Sequence, residues 1–339
     1  MMQQRRVAPG KLAERFKLGW RFKTRQPITS SPVVVGGLVY IGSEDKSVYA
    51  VRLATGKKAW SFATKGIIEA APRVVNGLVV IGSSDRQLYA LDALTGKPRW
   101  VYKTDDKILG AANVATAPDG KTTWLLVGSY DNQLHCVNAT TGKRVWAYET
   151  DNYVNGMPAI EGDKVVFGGC DGILHVVSLA TGKRLSTIEI GDYIAGTVTI
   201  EAGRVYIGHY GNAVICADLA QGKVVWTYRD RGFPYFSSPA IFGDRLVIGG
   251  RDKQVHCLNK ADGKPLWRIR TRGKVDSSPV ICDGKVVIGS EDGRLYLLRL
   301  SDGKQLWNYQ IGRPVMSSPY IENGQILIGA DDGYLYCFR

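Results

Sequence analysis

The sequence predicts an all-β fold, an eight-bladed β-propeller of four-stranded antiparallel blades, and three observations carry that prediction. One phrase returns seven times: ATGKKAW (54–60), LTGKPRW (94–100), TTGKRVW (140–146), ATGKRLS (180–186), AQGKVVW (220–226), ADGKPLW (261–267) and SDGKQLW (301–307). Its glycines, from Gly56 to Gly303, stand 40, 46, 40, 40, 41 and 40 residues apart, and a fixed period near 40 marks a repeat architecture. Between the phrases lie short runs of β-branched and aromatic residues bounded by Gly, Asp and Asn, which is the pattern of hairpins rather than helices. The last unit stops one strand short, while an extra Trp-bearing segment precedes the first unit.

Taken in order, residues 1–18 (MMQQRRVAPGKLAERFKL) read as a basic, flexible lead-in. They contain neither the apolar core nor the small-residue cleavage site of a secretory signal, and no cysteine that could carry a lipid. Residues 19–24, with Trp20, read as the missing outer strand of the final blade, so that 19–339 closes on itself as one propeller. That closure removes an exposed sheet edge. In blade 1, Ser31–Val35, Leu38–Ser43, Val48–Leu53 and Ala59–Thr64 are the four strands. Turns such as Asn76-Gly77, Asp283-Gly284 and Asn323-Gly324 supply the positive φ that tight hairpins need. Eight columns await a Trp: Trp20, Trp60, Trp100, Trp146, Trp226, Trp267 and Trp307 fill seven, and Ser186 is the departure.

The stretch Tyr89-Ala90-Leu91-Asp92-Ala93-Leu94-Thr95-Gly96-Lys97-Pro98-Arg99-Trp100 resembles the tryptophan-docking repeat of the pyrroloquinoline-quinone (PQQ)-like propellers. That family includes quinoprotein dehydrogenases and BamB-type scaffolds, and the resemblance extends over residues 19–339. It implies the propeller fold and leaves function open, because this fold hosts both enzymes and scaffolds. The dehydrogenases of the family carry adjacent cysteines over the cofactor and group Asp, Glu and Asn beside a calcium ion. This chain has no adjacent cysteines.

The repeats serve as an internal comparison that disposes of most chemically suggestive residues. Cys136, Cys216, Cys257 and Cys337 share one strand column with Ala50, Ala90, Val176 and Leu297, which makes them small core residues. His135, His175 and His256 share a column with Tyr49, Tyr89, Tyr296 and Tyr336. Asp45, Asp85, Asp131, Asp171, Asp252, Asp292 and Asp332 all cap the same turn. No metal-ligand spacing occurs among the six cysteines and four histidines. Catalytic, cofactor-binding and metal-binding residues are therefore expected to be none. Buried unpaired thiols suit a reducing compartment, which favours the cytoplasm. No apolar run approaches the roughly 20 residues a membrane helix needs.

Function is sought where the repeats disagree. The residue before each small-small-Pro phrase at the channel mouth is read as Thr29, Glu69, Gly110, Asn155, Ala195, Phe236, Asp276 and Met316, different in every blade. Aromatics collect in three neighbouring loops as Tyr153, Tyr193, Phe233, Tyr235 and Phe236. The mouth-side segments of blades 6–8 and of the N-terminal strand are basic (Arg272, Lys274 and Arg313 among them), whereas segments 146–158 and 186–198 are acidic. A separate ring of lysines (Lys57, Lys97, Lys143, Lys183, Lys223, Lys264 and Lys304) belongs to the repeat itself and accounts for much of the net charge of +13. The expectation is a non-catalytic scaffold, monomeric within a complex, that binds a protein partner through its mouth face. Tyr235 and Phe236 would be its anchors, and Arg272 and Lys274 its steering charges. A PQQ-dependent oxidoreductase and a binder of nucleic acid or an anionic surface are the alternatives.

Overall fold

The computed structural model describes residues 6–194 and 196–339. Among these, the chain forms eight four-stranded antiparallel sheets and no helix. Seven sheets are built from consecutive strands, such as Val33–Val35, Leu38–Ser43, Ser47–Arg52 and Lys58–Ala63 in blade 1. The eighth takes Tyr320–Glu322, Gln325–Gly329 and Tyr334–Phe338 from the C-terminus and Leu18–Lys23 from the N-terminus. Trp20 pairs with Cys337 as Trp60 pairs with Ala50 and Trp226 with Cys216, so the N-terminal strand holds the register of a genuine fourth strand. Contacts divide the blades into two compact units, blades 1–4 in Val33–Val198 and blades 5–8 in Thr199–Arg339 with the residues up to Pro32.

The strand burial follows from position in the blade. Second and third strands such as Leu38–Ser43 are buried on both faces, which is why they read as continuous apolar runs. Fourth strands such as Pro98–Lys103 alternate and form the outer edge. The surplus of six residues between Gly96 and Gly142 lies in blade 3, where residues 117–122 form a longer connection closed by a hydrogen bond from Ala117 N to Thr122 O.

Within each unit, the recurring Gly and Trp are two halves of one contact between neighbouring blades. The Trp60 indole donates to Ala93 O at 2.9 Å, and its ring lies flat against Gly96 of the next blade. Trp100, Trp146, Trp226 and Trp267 repeat the bond to Ala139, Leu179, Lys260 and Leu300. Gly96 has φ +71, and a Cβ there would sit 2.6 Å from the Trp60 ring, so both backbone and space demand glycine. Gly222, which follows the Ser186 column, has open space around the same point.

The capping aspartates have a second task. Asp85 accepts from Tyr89 Oη at 2.7 Å and Asp292 from Tyr296 Oη at 2.6 Å. Where the column holds histidine, Nε2 faces the aspartate, as in His175–Asp171 at 2.8 Å. The other ring nitrogen then meets a tyrosine of the preceding blade: Tyr102 to His135 at 3.0 Å, Tyr148 to His175 at 3.1 Å and Tyr228 to His256 at 3.2 Å. Histidine has two ring nitrogens to satisfy where tyrosine has one hydroxyl. Apolar Phe62 and Ile269 pack toward Tyr89 and Tyr296 instead. These histidines are thus core residues, each with two polar partners.

Residues 6–17 differ from the expected free lead-in. Val7 forms a parallel bridge with Ile281 on the first strand of blade 7, through Ala8 N to Ile281 O (2.8 Å) and Ile281 N to Arg6 O (3.0 Å). Lys11 pairs with Asp283 at 3.2 Å, and Leu12 and Phe16 are buried, Phe16 edge-on to Trp307 at 5.5 Å. The segment carries its own apolar anchors at 7, 12 and 16, a spacing that belongs to no repeat. No helix among the described residues is long and apolar enough to cross a membrane.

Candidate functional site: the loop face

In each blade, the loop entering the first strand sends one side chain down into the core and the next one up. The downward column is Ile28, Ile68, Ile108, Val154, Ile194, Tyr235, Val275 and Val315, all buried. Tyr235 therefore occupies a packing column and is 1% exposed, which removes it from the set of surface anchors. It fits because Gly208 faces it: a Cβ there would stand 2.6 Å from Tyr235 Cβ. Burial raises the Tyr235 hydroxyl pKa, and the nearby Asp252 adds to the shift.

The upward column is Thr29, Glu69, Leu109, Asn155, Phe236, Asp276 and Met316, each half-buried or exposed. Residue 195, the blade 5 member expected from the sequence, lies outside the described residues. In blade 3 the member is Leu109, not Gly110. Ile108 is the buried residue of that loop, so Gly110 falls in the next, small-residue column with Ser30, Ala70 and Ser237.

A second variable column stands beside the first, in the turn between second and third strands: Glu44, Ser84, Tyr130, Cys170, Tyr210, Arg251, Glu291 and Asp331. Seven of its members immediately precede the capping aspartate, whose regularity masks their variation in the sequence. A comparison of the repeats one residue upstream would have found it.

In blades 5–8 the two columns interlock. Tyr210 lies 4.2 Å from Phe236, ring centre to ring centre. The Arg251 guanidinium also packs on Phe236, its Cζ 3.7 Å from the centroid of that ring. The same guanidinium grips Asp276 through Nε at 3.1 and 3.2 Å and Nη2 at 2.7 Å. The Asp276 side chain is 9% exposed, so a planar, bidentate partner is what makes its burial tolerable. Four residues from three blades thus form one rigid chain. Phe233 beside it is 47% exposed, and Arg272, Lys274 and Arg313 are exposed around it. Of the carboxylates in this sector, Asp292 caps Arg272 N (2.9 Å) and Tyr296 Oη, Asp230 holds Arg268 (2.5 Å), and Glu291 is half-buried. The surface left to solvent there is cationic.

In blades 1–4, Tyr153 stacks on Tyr130 at 4.5 Å, and Lys107 Nζ lies 4.4 Å over Tyr130. Asn155 Nδ2 donates to Cys170 Sγ at 3.1 Å. Glu69 has a raised pKa, first from burial and then from Glu44, with Lys107 opposing. Tyr193 is exposed at the edge of an open cleft with Asp171 and Glu189. Asp230, Asp252 and His256 come within 4.8 Å of one another. Their atoms are already bonded to Arg268, Gln254 and Tyr228, so the trio is a structural ion-pair network.

The comparisons with known proteins agree with this architecture. Residues 110–339 match the family model described as the β-propeller of the beta-alanine-activating enzyme, and the chain belongs to that propeller family. Residues 14–123 match the model of the outer membrane protein assembly factor BamB, so the PQQ-like, BamB-type resemblance holds. No curated protein sequence matches the chain. BamB from Moraxella catarrhalis is similar at 20% identity, over 96% of this chain and 98% of that one, with a TM-score of 0.79. The computationally designed Ika8 protein is similar at 17% identity, over 93% and 97%, with a TM-score of 0.81. A quinohemoprotein alcohol dehydrogenase from Pseudomonas putida HK5 is similar at 13% identity, over 99% and 78%, with a TM-score of 0.82. These structural likenesses establish the fold and do not divide scaffold from enzyme.

Proposed function

We propose that the chain is a non-catalytic interaction scaffold that grips a protein partner with the loop face of blades 5–8. The observation that carries this reading is the Tyr210–Phe236–Arg251–Asp276 chain. It combines aromatic and arginine side chains, held rigid before any partner arrives, at the centre of a cationic rim. Aromatics and arginine in such settings carry most of the energy of interfaces, and fixing them beforehand lowers the entropic cost of binding. Phe236 and Phe233 are the anchors in this reading, with Arg272, Lys274 and Arg313 steering from the rim.

An oxidoreductase reading fits the residues less well. The dehydrogenases of the family use adjacent cysteines and a free carboxylate beside calcium. Here the sequence has no adjacent cysteines, and both oxygens of Asp276 are held by Arg251. The cationic rim also suits a nucleic acid, whose binding would weaken steeply with salt, roughly one logarithmic unit of affinity per phosphate contact and tenfold change of salt. Affinity purification of tagged protein from its native host tests the proposal. Phe236→Ala should lose a partner that the wild type and Leu94→Ala retain. Equal recovery by folded Phe236→Ala would place the interface elsewhere.

A further inference from the structure

The chain displays how it binds an extended peptide. Residues 7–12 lie across the turn edge of blades 7 and 8, over Ile281, Cys282 and Asp283 on one side and Ile321, Asn323 and Gly324 on the other. The repeat supplies the same groove in blades 1 and 2, where Val35 stands for Cys282, Gly36 for Asp283, Val74 for Ile321, and Asn76-Gly77 for Asn323-Gly324. There it is an open cavity of about 680 Å³ lined by those residues, and no segment of the described chain lies in it. A second cavity of about 370 Å³ adjoins it, sharing Gly36 and Leu94.

One departure, Leu94, makes this groove more adhesive than its counterparts, and the apolar Val35 adjoins it. Leu94 is 78% exposed at a column that is Ala, Thr or Ser in the other blades (Ala54, Thr140, Ser301). Val35 is 46% exposed at a column that is Glu in three of them (Glu161, Glu201, Glu322). Around this apolar floor the bounding turns carry Arg52, Lys57, Lys58, Lys97 and Arg99, all exposed. Their one carboxylate, Asp92, is taken by Arg99 at 2.7 Å. Asp283, which receives Lys11 and Leu12 N in the occupied groove, is replaced here by Gly36.

We propose that the blade 1–2 groove is a second docking site, separate from the loop face, for an extended partner segment with apolar anchors and acidic flanks. The occupied groove gives the backbone form and the spacing of the anchors. The uncompensated cations give the sign of the flanks, because a basic segment such as residues 6–17 has no carboxylate to meet here.

Fluorescence anisotropy on the full-length protein tests this with two labelled peptides. One is the native sequence RVAPGKLAERFK; the other has every Arg and Lys replaced by Glu. The acidic peptide should bind saturably and at least about tenfold more tightly than the native one at low salt. Leu94→Asp, at an exposed position that leaves the fold intact, should abolish that binding, and Lys97→Glu should weaken it about tenfold. Phe236→Ala should leave it unchanged, which separates this site from the loop face. The proposal is overturned if neither peptide binds, if the native peptide binds equally well, if Leu94→Asp has no effect, or if sedimentation shows a dimer that Leu94→Asp dissociates.

Discussion

Arg251 lies over Phe236, the guanidinium carbon 3.7 Å from the ring centroid, while the same guanidinium holds both oxygens of Asp276. One side chain from a turn of blade 6 therefore fixes an aromatic from the loop into blade 6 and a carboxylate from the loop into blade 7. A cation over an aromatic is worth about 0.5–2 kcal/mol, and a bidentate pair on a nearly buried carboxylate more. The loop face of these blades is consequently built around an arginine that fixes two neighbours at once.

Removing that arginine should cost stability through the carboxylate it leaves behind. Arg251→Ala should lower the unfolding free energy by about 3 kcal/mol, because Asp276 would stay buried without a partner. Arg251→Ala with Asp276→Ala should recover part of that loss. Urea denaturation of both variants checks it, and additive losses would show that the two residues are not coupled.

The N-terminal segment should behave as part of the propeller. Phe16→Ala should cost about 3 kcal/mol, since a buried aromatic packed against Trp307 leaves a cavity on truncation. Deleting residues 1–17 should lower the denaturation midpoint, and deleting 1–25 should lower it further by removing the outer strand of blade 8. A midpoint unchanged by the shorter deletion would return the segment to the status of a free lead-in.

The blade count, the closure by Leu18–Lys23 and the Gly-Lys-Trp contacts were legible because each is repeated, so column and spacing alone define them. The docking of Val7, Leu12 and Phe16 was not legible, because those anchors occur once and their partners lie more than 270 residues away. Tyr235 was misread as an anchor by its aromatic neighbours. Its column of Ile and Val residues, with glycine opposite, identifies it as packing. Gly110 was misplaced for a related reason: blade 3 has Ala112 where six of the other blades have Pro, which shifted the frame by one residue. The Arg251 contacts join turns that no local pattern connects.

Blade 4 should open more readily than blade 3. Ser186 offers no indole to dock, so strand Arg184–Glu189 lacks the contact that Trp146 gives strand Arg144–Glu149. Hydrogen exchange should be faster in 184–189 than in 144–149. Equal protection would show that Ile188, which is buried, compensates fully.

Acid should weaken the fold through three buried aspartates. Burial, the largest single effect, pushes Asp131, Asp171 and Asp252 upward, but hydrogen bonds from His135, His175 and His256, the charge of those rings and further hydrogen bonds together outweigh it, and each carboxyl ends below its ordinary value. A folded pKa below the unfolded one contributes stability that is fully present above the unfolded value of about 3.9 and is lost as pH falls through the folded value. Stability should therefore fall below about pH 4, and Asp171→Asn, although less stable at neutral pH, should lose less over that interval. Parallel pH dependences for the variant and the wild type would contradict this.

Site-specific photocrosslinking in the native host tests the central claim most directly. A benzophenone side chain at Phe233, exposed on the loop face, and one at Phe242, exposed on the opposite, hairpin-turn edge of blade 6, sample the two edges of the same blade. The account predicts a discrete protein adduct at 233, abolished by Phe236→Ala and absent at 242. An adduct at 242 with none at 233 would contradict it.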